Sequence, residues 1–213
     1  MIPMTPLVLH RHPLSGHCHR VELFLSLLEL PVRMVHVDLA KGEQKSPAFV
    51  AKNLFAQVPV LEDGTVTLAD SSAILVYLAR RYAAGSAWLP SDPFAAAEVQ
   101  RWLSIAAGQL VAGPAVARVA AVFGAALDVE PPRAIARQLF ERMNAHLAER
   151  PMLTGDVPTL ADVAMYTYTA HAPEGGVSLE PYPNVRRWLA RVEALPRFVS
   201  MQETATRERT QVR

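Results

Sequence analysis

Residues 57–72 read Gln57-Val58-Pro59-Val60-Leu61-Glu62-Asp63-Gly64-Thr65-Val66-Thr67-Leu68-Ala69-Asp70-Ser71-Ser72. Two short apolar runs, Val58–Leu61 and Thr65–Leu68, flank Asp63-Gly64, a pair that two-residue hairpin turns favour. Asp70, Ser71 and Ser72 then offer acceptors to the free amides of a following helix, Ala73–Tyr82, whose Ile74, Leu75, Leu78 and Tyr82 fall on one face. The stretch predicts a hairpin that runs directly into a helix.

Upstream, Leu7–His10 is aliphatic and Arg33–Leu39 alternates Arg33, Val35 and Val37 against Met34, His36 and Asp38, so both read as strands. Val21, Phe24, Leu25 and Leu28 repeat at helical spacing between them, and Leu30-Pro31 ends that helix. Ser46-Pro47 supplies an N-cap and a proline at the first helical position for a short helix to about Lys52. The order strand, helix, strand, helix, hairpin, helix predicts helices covering a mixed four-stranded sheet. Downstream, Gly85, Ser86, Pro90, Ser91 and Pro93 mark residues 84–93 as a linker between a domain at 1–83 and another at 94–213. That second domain reads as all-helical: Phe94 to about Ala112, a break or kink at Gly113-Pro114, Ala115–Phe123, Pro131–Glu149, Thr159–His171 and Asn184–Leu195. The polar, aperiodic tail 203–213 is expected to fray.

The 213 residues are 51% hydrophobic and 19% charged, an apolar excess that suits a cleft or a subunit interface. With 21 Lys and Arg against 20 Asp and Glu, no field of one sign points to nucleic acid or an anionic membrane. The single cysteine, Cys18, excludes an intramolecular disulfide and a thiolate metal cluster. The start lacks the apolar core of a signal peptide, and no uninterrupted apolar stretch reaches the ~18 residues of a membrane span. A reducing cytoplasm is the expected location.

Chemistry concentrates at three helix or strand starts. Ser15-Gly16-His17-Cys18 opens the first helix, where free amides and the positive end of the dipole favour an anion such as a thiolate. With serine first and cysteine second, a dithiol cycle within one chain is impossible, whereas a serine hydroxyl can donate to a bound thiolate and lower its pKa. Ser15 is equally well suited to capping the helix. At Gln57-Val58-Pro59, the proline belongs at an edge, and a cis Val58–Pro59 bond would turn the Val58 amide and carbonyl outward, where an extended tripeptide could pair as an added strand. Asp70-Ser71 presents a carboxylate, a hydroxyl and free amides, suited to a group with ammonium and carboxylate ends.

Taken in order, Ser15, Lys41-Gly42-Glu43, Asn53 with Gln57-Val58-Pro59-Val60-Leu61, and Leu68-Ala69-Asp70-Ser71 resemble the glutathione transferase superfamily. Leu153-Thr154-Gly155 with Thr159-Leu160-Ala161-Asp162 resembles that family's capping box, and the stretch Tyr168 to Val177, with His171-Ala172-Pro173-Glu174-Gly175-Gly176, is similar to its bacterial members. The resemblance implies a thioredoxin-like N-terminal domain, an all-helical C-terminal domain and a homodimer built on the Ala73–Tyr82 helix. It implies glutathione as co-substrate, no metal, and detoxifying transfer of the thiolate to a small hydrophobic electrophile. It also implies residue roles: Ser15 and His17 beside the sulfur, Val58 next to a cis Pro59 on the cysteinyl backbone, and Asp70 and Ser71 on the γ-glutamyl end. Gln44, Lys45 or Gln57 would meet the glycine carboxylate. A second-substrate pocket is expected from His12, Pro13 and Leu14 together with Trp102, Ile105 and Gln109, although Trp102 and Ile105 equally suit core packing. Asn53-Leu54 departs from the commoner Asn-Pro. Cys18 leaves open a cysteine-type member doing disulfide reductase, peroxidase, isomerase or dehalogenase chemistry, and a non-catalytic scaffold is a further alternative.

Overall fold

The computed structural model describes residues 6–204 and separates them into two compact units. One unit runs to Leu89 and takes in Leu195–Met201; the other runs from Pro90 to Ala194 and resumes at Gln202.

The first unit is a thioredoxin-like layer of helices on a mixed sheet. β1 (Leu7–Arg11) lies inside the sheet, parallel to β2 (Val32–His36) and antiparallel to β3 (Val60–Asp63), which pairs in turn with β4 (Val66–Ala69). Leu7 and Leu9 of β1 are wholly buried, as are Val21, Leu23, Phe24 and Leu25 of α1 (Gly16–Leu27) and Ile74, Leu75 and Leu78 of α3 (Ser71–Tyr82). The two helices pack on each other. A separate cluster joins Phe49 of α2 (Pro47–Val50) to Val37 and Val60. The returning segment is fastened by His19 Nε2 on the Val199 carbonyl at 2.9 Å and by the Ser26 hydroxyl on the Arg197 carbonyl at 2.7 Å.

Three boundaries differ from the sequence reading. β2 stops at His36 because β1 ends at Arg11, whose carbonyl takes a last bond from Val37 N–H; Asp38 Oδ1 then accepts from Ala40 and Lys41 and turns the chain. α2 ends at Val50, short of Lys52, under a Ser46 cap. The hairpin is offset by one residue: Asp63 pairs with Val66, so the two loop residues are Gly64 and Thr65, with Gly64 alone at positive φ (58°).

The second unit is helical: α4 (Pro93–Ala107), α5 (Val116–Phe123), α6 (Glu130–His146), α7 (Leu160–Ala170) and α8 (Pro183–Glu193). Gly113-Pro114 does not break the long helix. Val111–Ala115 forms a π-helical turn that absorbs the missing proline N–H, and the helical path falters at Gly108 instead. Gly113 is needed for a close approach, since a Cβ there would meet the Ala136 nitrogen of α6 at 2.9 Å. The run Pro93–Phe123 reaches a hydropathy of 1.5 and could cross a membrane by length and composition, but 44% of that window is buried and α4 packs on α7. α6 ends at His146, not Glu149, and His146 Nε2 holds the Leu153 carbonyl at 2.7 Å. α7 is buried on all sides from Leu160 to Thr169 and starts in the expected capping box of Thr159 and Asp162. His171 is a satisfied structural histidine, bonded to Glu174 at 2.9 Å. Of the expected frayed tail, Thr204 donates its N–H and hydroxyl to Glu174 at 3.0 and 2.7 Å, and positions 205–213 lie outside the described residues.

Candidate active site

The site is assembled in the first unit from the loops that enter α1, α2, β3 and α3. Ser15 sits just ahead of α1 in extended conformation (φ −87°, ψ 116°), and its Oγ accepts the Cys18 N–H at 3.3 Å. It caps the helix while opening on a cavity of about 660 Å³. His17, Gln44, Gln57, Val58, Pro59, Asp70 and Ser71 line the same cavity. Residues from four separate sequence positions are thereby brought to one place.

The Val58–Pro59 peptide is cis. Asn53, buried, clamps the loop before it: Nδ2 donates to the Gln57 carbonyl at 2.7 Å and Oδ1 accepts Phe55 N–H at 3.0 Å. Among the described residues no hydrogen bond occupies the Val58 N–H or carbonyl. Asp70 adopts φ 71°, ψ 123°, a region that costs a non-glycine residue about 1–3 kcal/mol. Its carboxylate caps Ala73 N–H at 2.9 Å, and the bend brings Asp70 and Ser71 together onto the cavity. Ser71 Oγ accepts from Arg20 Nη1 at 3.3 Å and lies 3.2 Å from His17 Nδ1. Burial, aided by the Arg20 charge, pushes the His17 pKa down to about 3, so the ring is neutral at ordinary pH and works on the Ser71 side of the cavity.

Cys18 is fully buried, its Sγ accepting His12 N–H at 3.4 Å, and burial pushes its pKa up to about 12. A thiol kept protonated and out of solvent makes a poor nucleophile.

Both family models that match the chain point the same way: the glutathione S-transferase N-terminal domain over residues 14–81 and the glutathione S-transferase C-terminal domain over residues 126–196. Glutathione S-transferase 3 of Zea mays is 34% identical over 206 residues, 92% of each chain. The chain belongs to the glutathione S-transferase family. Glutathione S-transferase theta-2 of Homo sapiens is 32% identical over 82% of this chain and 81% of that one. The crystal structure of a glutathione S-transferase from Pseudomonas fluorescens Pf-5 superposes with a TM-score of 0.87 at 32% identity, covering 93% of this chain and all of the other. The chain is therefore an enzyme with glutathione transferase activity.

In this glutathione S-transferase, several sequence-derived candidates stand apart from the cavity. Lys45 is exposed and does not line it; the cation that does is Lys52, paired with Glu62. Lys52 escapes the sequence reading because a lysine at the end of a short helix reads as solvated. Leu39, Leu54 and Phe55 add apolar lining that carries no motif, and Leu54 and Phe55 are about four-fifths exposed (79% and 77%). His12 and Leu14 are half-buried near the start of α1, bonded to each other at 3.3 Å, with the His12 ring 5.6 Å from that of His36. Within the helical unit, Trp102 is buried with its ring 5.1 Å from His146, Ile105 is half-buried and Gln109 is exposed. Among the described residues no group of three or more His, Cys, Asp or Glu side chains could hold a metal ion.

Proposed function

We propose that the enzyme conjugates the glutathione thiolate to a small hydrophobic electrophile. The observation that carries this reading is the convergence of Ser15, Val58, Asp70 and Ser71 on one cavity while Cys18 is sealed away. Ser15 Oγ accepts from Cys18 N–H, and its hydrogen, which lies within reach of the Cys18 thiol, turns to a bound sulfur when glutathione enters. A hydrogen bond to a charged group contributes about 1.5–3 kcal/mol, enough to lower the thiol pKa by about 1–2 units. The thiol proton leaves to solvent, the sulfur lone pair forms the new bond to carbon, and the leaving group departs with its electron pair. Val58 pairs through its backbone with the cysteinyl residue, and Asp70 and Ser71 take the γ-glutamyl end. Gln44 and Gln57 are better placed than Lys45 for the glycine carboxylate. His12 and Leu14 flank the electrophile's approach. The molecule works as a homodimer in the cytoplasm, and its task is detoxification.

Ser15→Ala is expected to lower kcat/KM about a hundredfold, in the range of a lost charge-stabilising donor. It should also raise the bound thiol's pKa, read from thiolate absorbance against pH. Cys18→Ala should keep activity within about twofold. If Cys18→Ala alone abolished turnover, a cysteine-dependent reductase chemistry would replace this mechanism; calorimetry showing no glutathione binding at millimolar ligand would remove the tripeptide site.

A further inference from the structure

The loop from Asn53 to Gln57 carries two large apolar side chains on a backbone that one residue fixes with three hydrogen bonds. The Asn53 side chain grips Phe55 N–H and the Gln57 carbonyl, and its own carbonyl accepts Ala56 N–H at 2.9 Å. Ala56 sits at φ 52°, a left-handed conformation that a residue with a Cβ keeps only where its surroundings determine it. Leu54 and Phe55 on this loop are four-fifths exposed, yet both line the cavity, and Leu39 lines it with them. Held in this way they form a preorganised apolar shelf, which gains free energy when a ligand covers it.

Charge beside the shelf is already balanced. Lys52, next to the loop, is the one lysine or arginine lining the cavity among the described residues, and it is bonded to Glu62, whose other oxygen lies 3.3 Å from His10 Nε2. The direction of a bound tripeptide follows from which lining residues stand together. Asp70 and Ser71 form one group with His17, through the 3.2 Å contact of His17 with Ser71, and the Asn53-clamped loop forms another. With the cysteinyl residue on the Val58 backbone and the γ-glutamyl end at Asp70 and Ser71, the third residue runs toward the shelf. This rests on the glutathione reading above. Glycine has no side chain and leaves the shelf bare. We propose that Leu39, Leu54 and Phe55 form an apolar subsite for the side chain of the thiol peptide's C-terminal residue, so that the enzyme binds γ-glutamyl-cysteinyl peptides ending in a branched aliphatic residue more tightly than glutathione.

The test titrates the full chain with glutathione, γ-glutamyl-cysteinyl-leucine and γ-glutamyl-cysteinyl-aspartate by calorimetry. The wild type should bind the leucine peptide about fivefold more tightly than glutathione, the gain from partly burying one aliphatic side chain, and the aspartate peptide more weakly than glutathione. With the sulfur end unchanged, kcat should agree within about twofold between the leucine peptide and glutathione, placing the gain in KM. Leu54→Ser combined with Phe55→Ser should weaken the leucine peptide about fivefold more than glutathione, so that the preference disappears. A wild type that binds the leucine peptide no better than glutathione overturns the inference, as does one that binds the aspartate peptide equally tightly. A preference unchanged in the double variant overturns it too, whether both peptides weaken together, as a structural role would give, or neither does; a smaller assembly by sedimentation would then assign the shelf to a second copy of the chain. Should the double variant fail to fold, Phe55→Ala decides: a preference at least halved supports, one that holds overturns. A wild type that binds none of the three peptides defeats the glutathione reading itself, whereas one that binds glutathione and gains nothing from leucine defeats only the shelf.

Discussion

In the helical unit, Asp162 accepts four hydrogen bonds, from the N–H groups of Leu153 and Thr159, the Thr159 hydroxyl and Trp188 Nε1. In the sheet unit, among the described residues, Gln44 lines the cavity with a buried Oε1 that has no partner, and Val58 leaves its backbone pair unspent. Both regions bury polar groups, which costs free energy unless each finds a partner. Where the chain supplies every partner, the polar group organises the fold. Where polar groups beside a cavity find no partner among the described residues, the surface is left open to a ligand.

The sharpest way to break that contrast is Asp162→Ala. It strands the Leu153 amide, the start of α7 and the Trp188 indole together, all buried. Each donor left without a partner costs about 1–3 kcal/mol, so a loss of about 4 kcal/mol in urea unfolding is expected, much of the stability of an ordinary domain. A loss below about 1 kcal/mol would mean that saturation of this carboxylate does not organise the helical unit.

Next in size is the acid response of Glu174. Burial alone would raise its pKa, but bonds from His171 and from the Thr204 amide and hydroxyl, with the Arg118 charge, hold it down to about 2 against an ordinary 4.5. A carboxylate depressed in the folded state stabilises fully above the unfolded value and loses that contribution as pH falls through the folded one. The window is therefore pH 4.5 down to about 2, and the amount at stake is about 3 kcal/mol. Urea midpoints measured across it should drop steeply in the wild type and more gently in Glu174→Gln, which carries no titrating group there. Parallel slopes would assign the acid sensitivity elsewhere.

The same contrast explains how much of this molecule is legible in its sequence. Caps are local: Ser15, Ser46, Asp70 and Thr159 each bond to an amide two or three residues on, so composition and spacing reveal them. Strand ends are not local. β2 stops where its partner stops, 25 residues away in register, and no pattern within Arg33–Leu39 encodes that. The hairpin's one-residue offset is likewise decided by which residues pair across it. Gly113-Pro114 reads as a breaker because proline propensity is calibrated on α-helices, whereas a π turn tolerates the missing donor. Arg20 escapes notice for a physical reason. A charged residue on a helix is solvated by default, and its hydroxyl partner stands 51 positions further on. The cavity-lining residues Ser15, Val58, Asp70 and Ser71 could be gathered because they sit at element starts. Trp102 could not be sorted, since an aromatic residue on an apolar helix face looks the same whether it meets a substrate or His146.

The smallest expected effect is the most diagnostic, because its two readouts move in opposite directions. Gln44→Met preserves length and volume but deletes the buried Oε1 that has no partner among the described residues and the amide N–H₂ that would face a carboxylate. Removing an unsatisfied polar atom relieves a desolvation cost, so thermal unfolding of the ligand-free protein should stay level or gain up to about 1 kcal/mol. Glutathione affinity should fall about fivefold, the loss of one neutral hydrogen bond, while the thiol pKa of bound glutathione stays where it was. A variant that lost stability as well would show Gln44 to be spoken for within the fold, in the manner of Asp162. A variant with unchanged affinity would show that the Gln44 amide N–H₂ does not hold the glycine carboxylate, and the glycine end of the tripeptide would then have to be sought at Gln57.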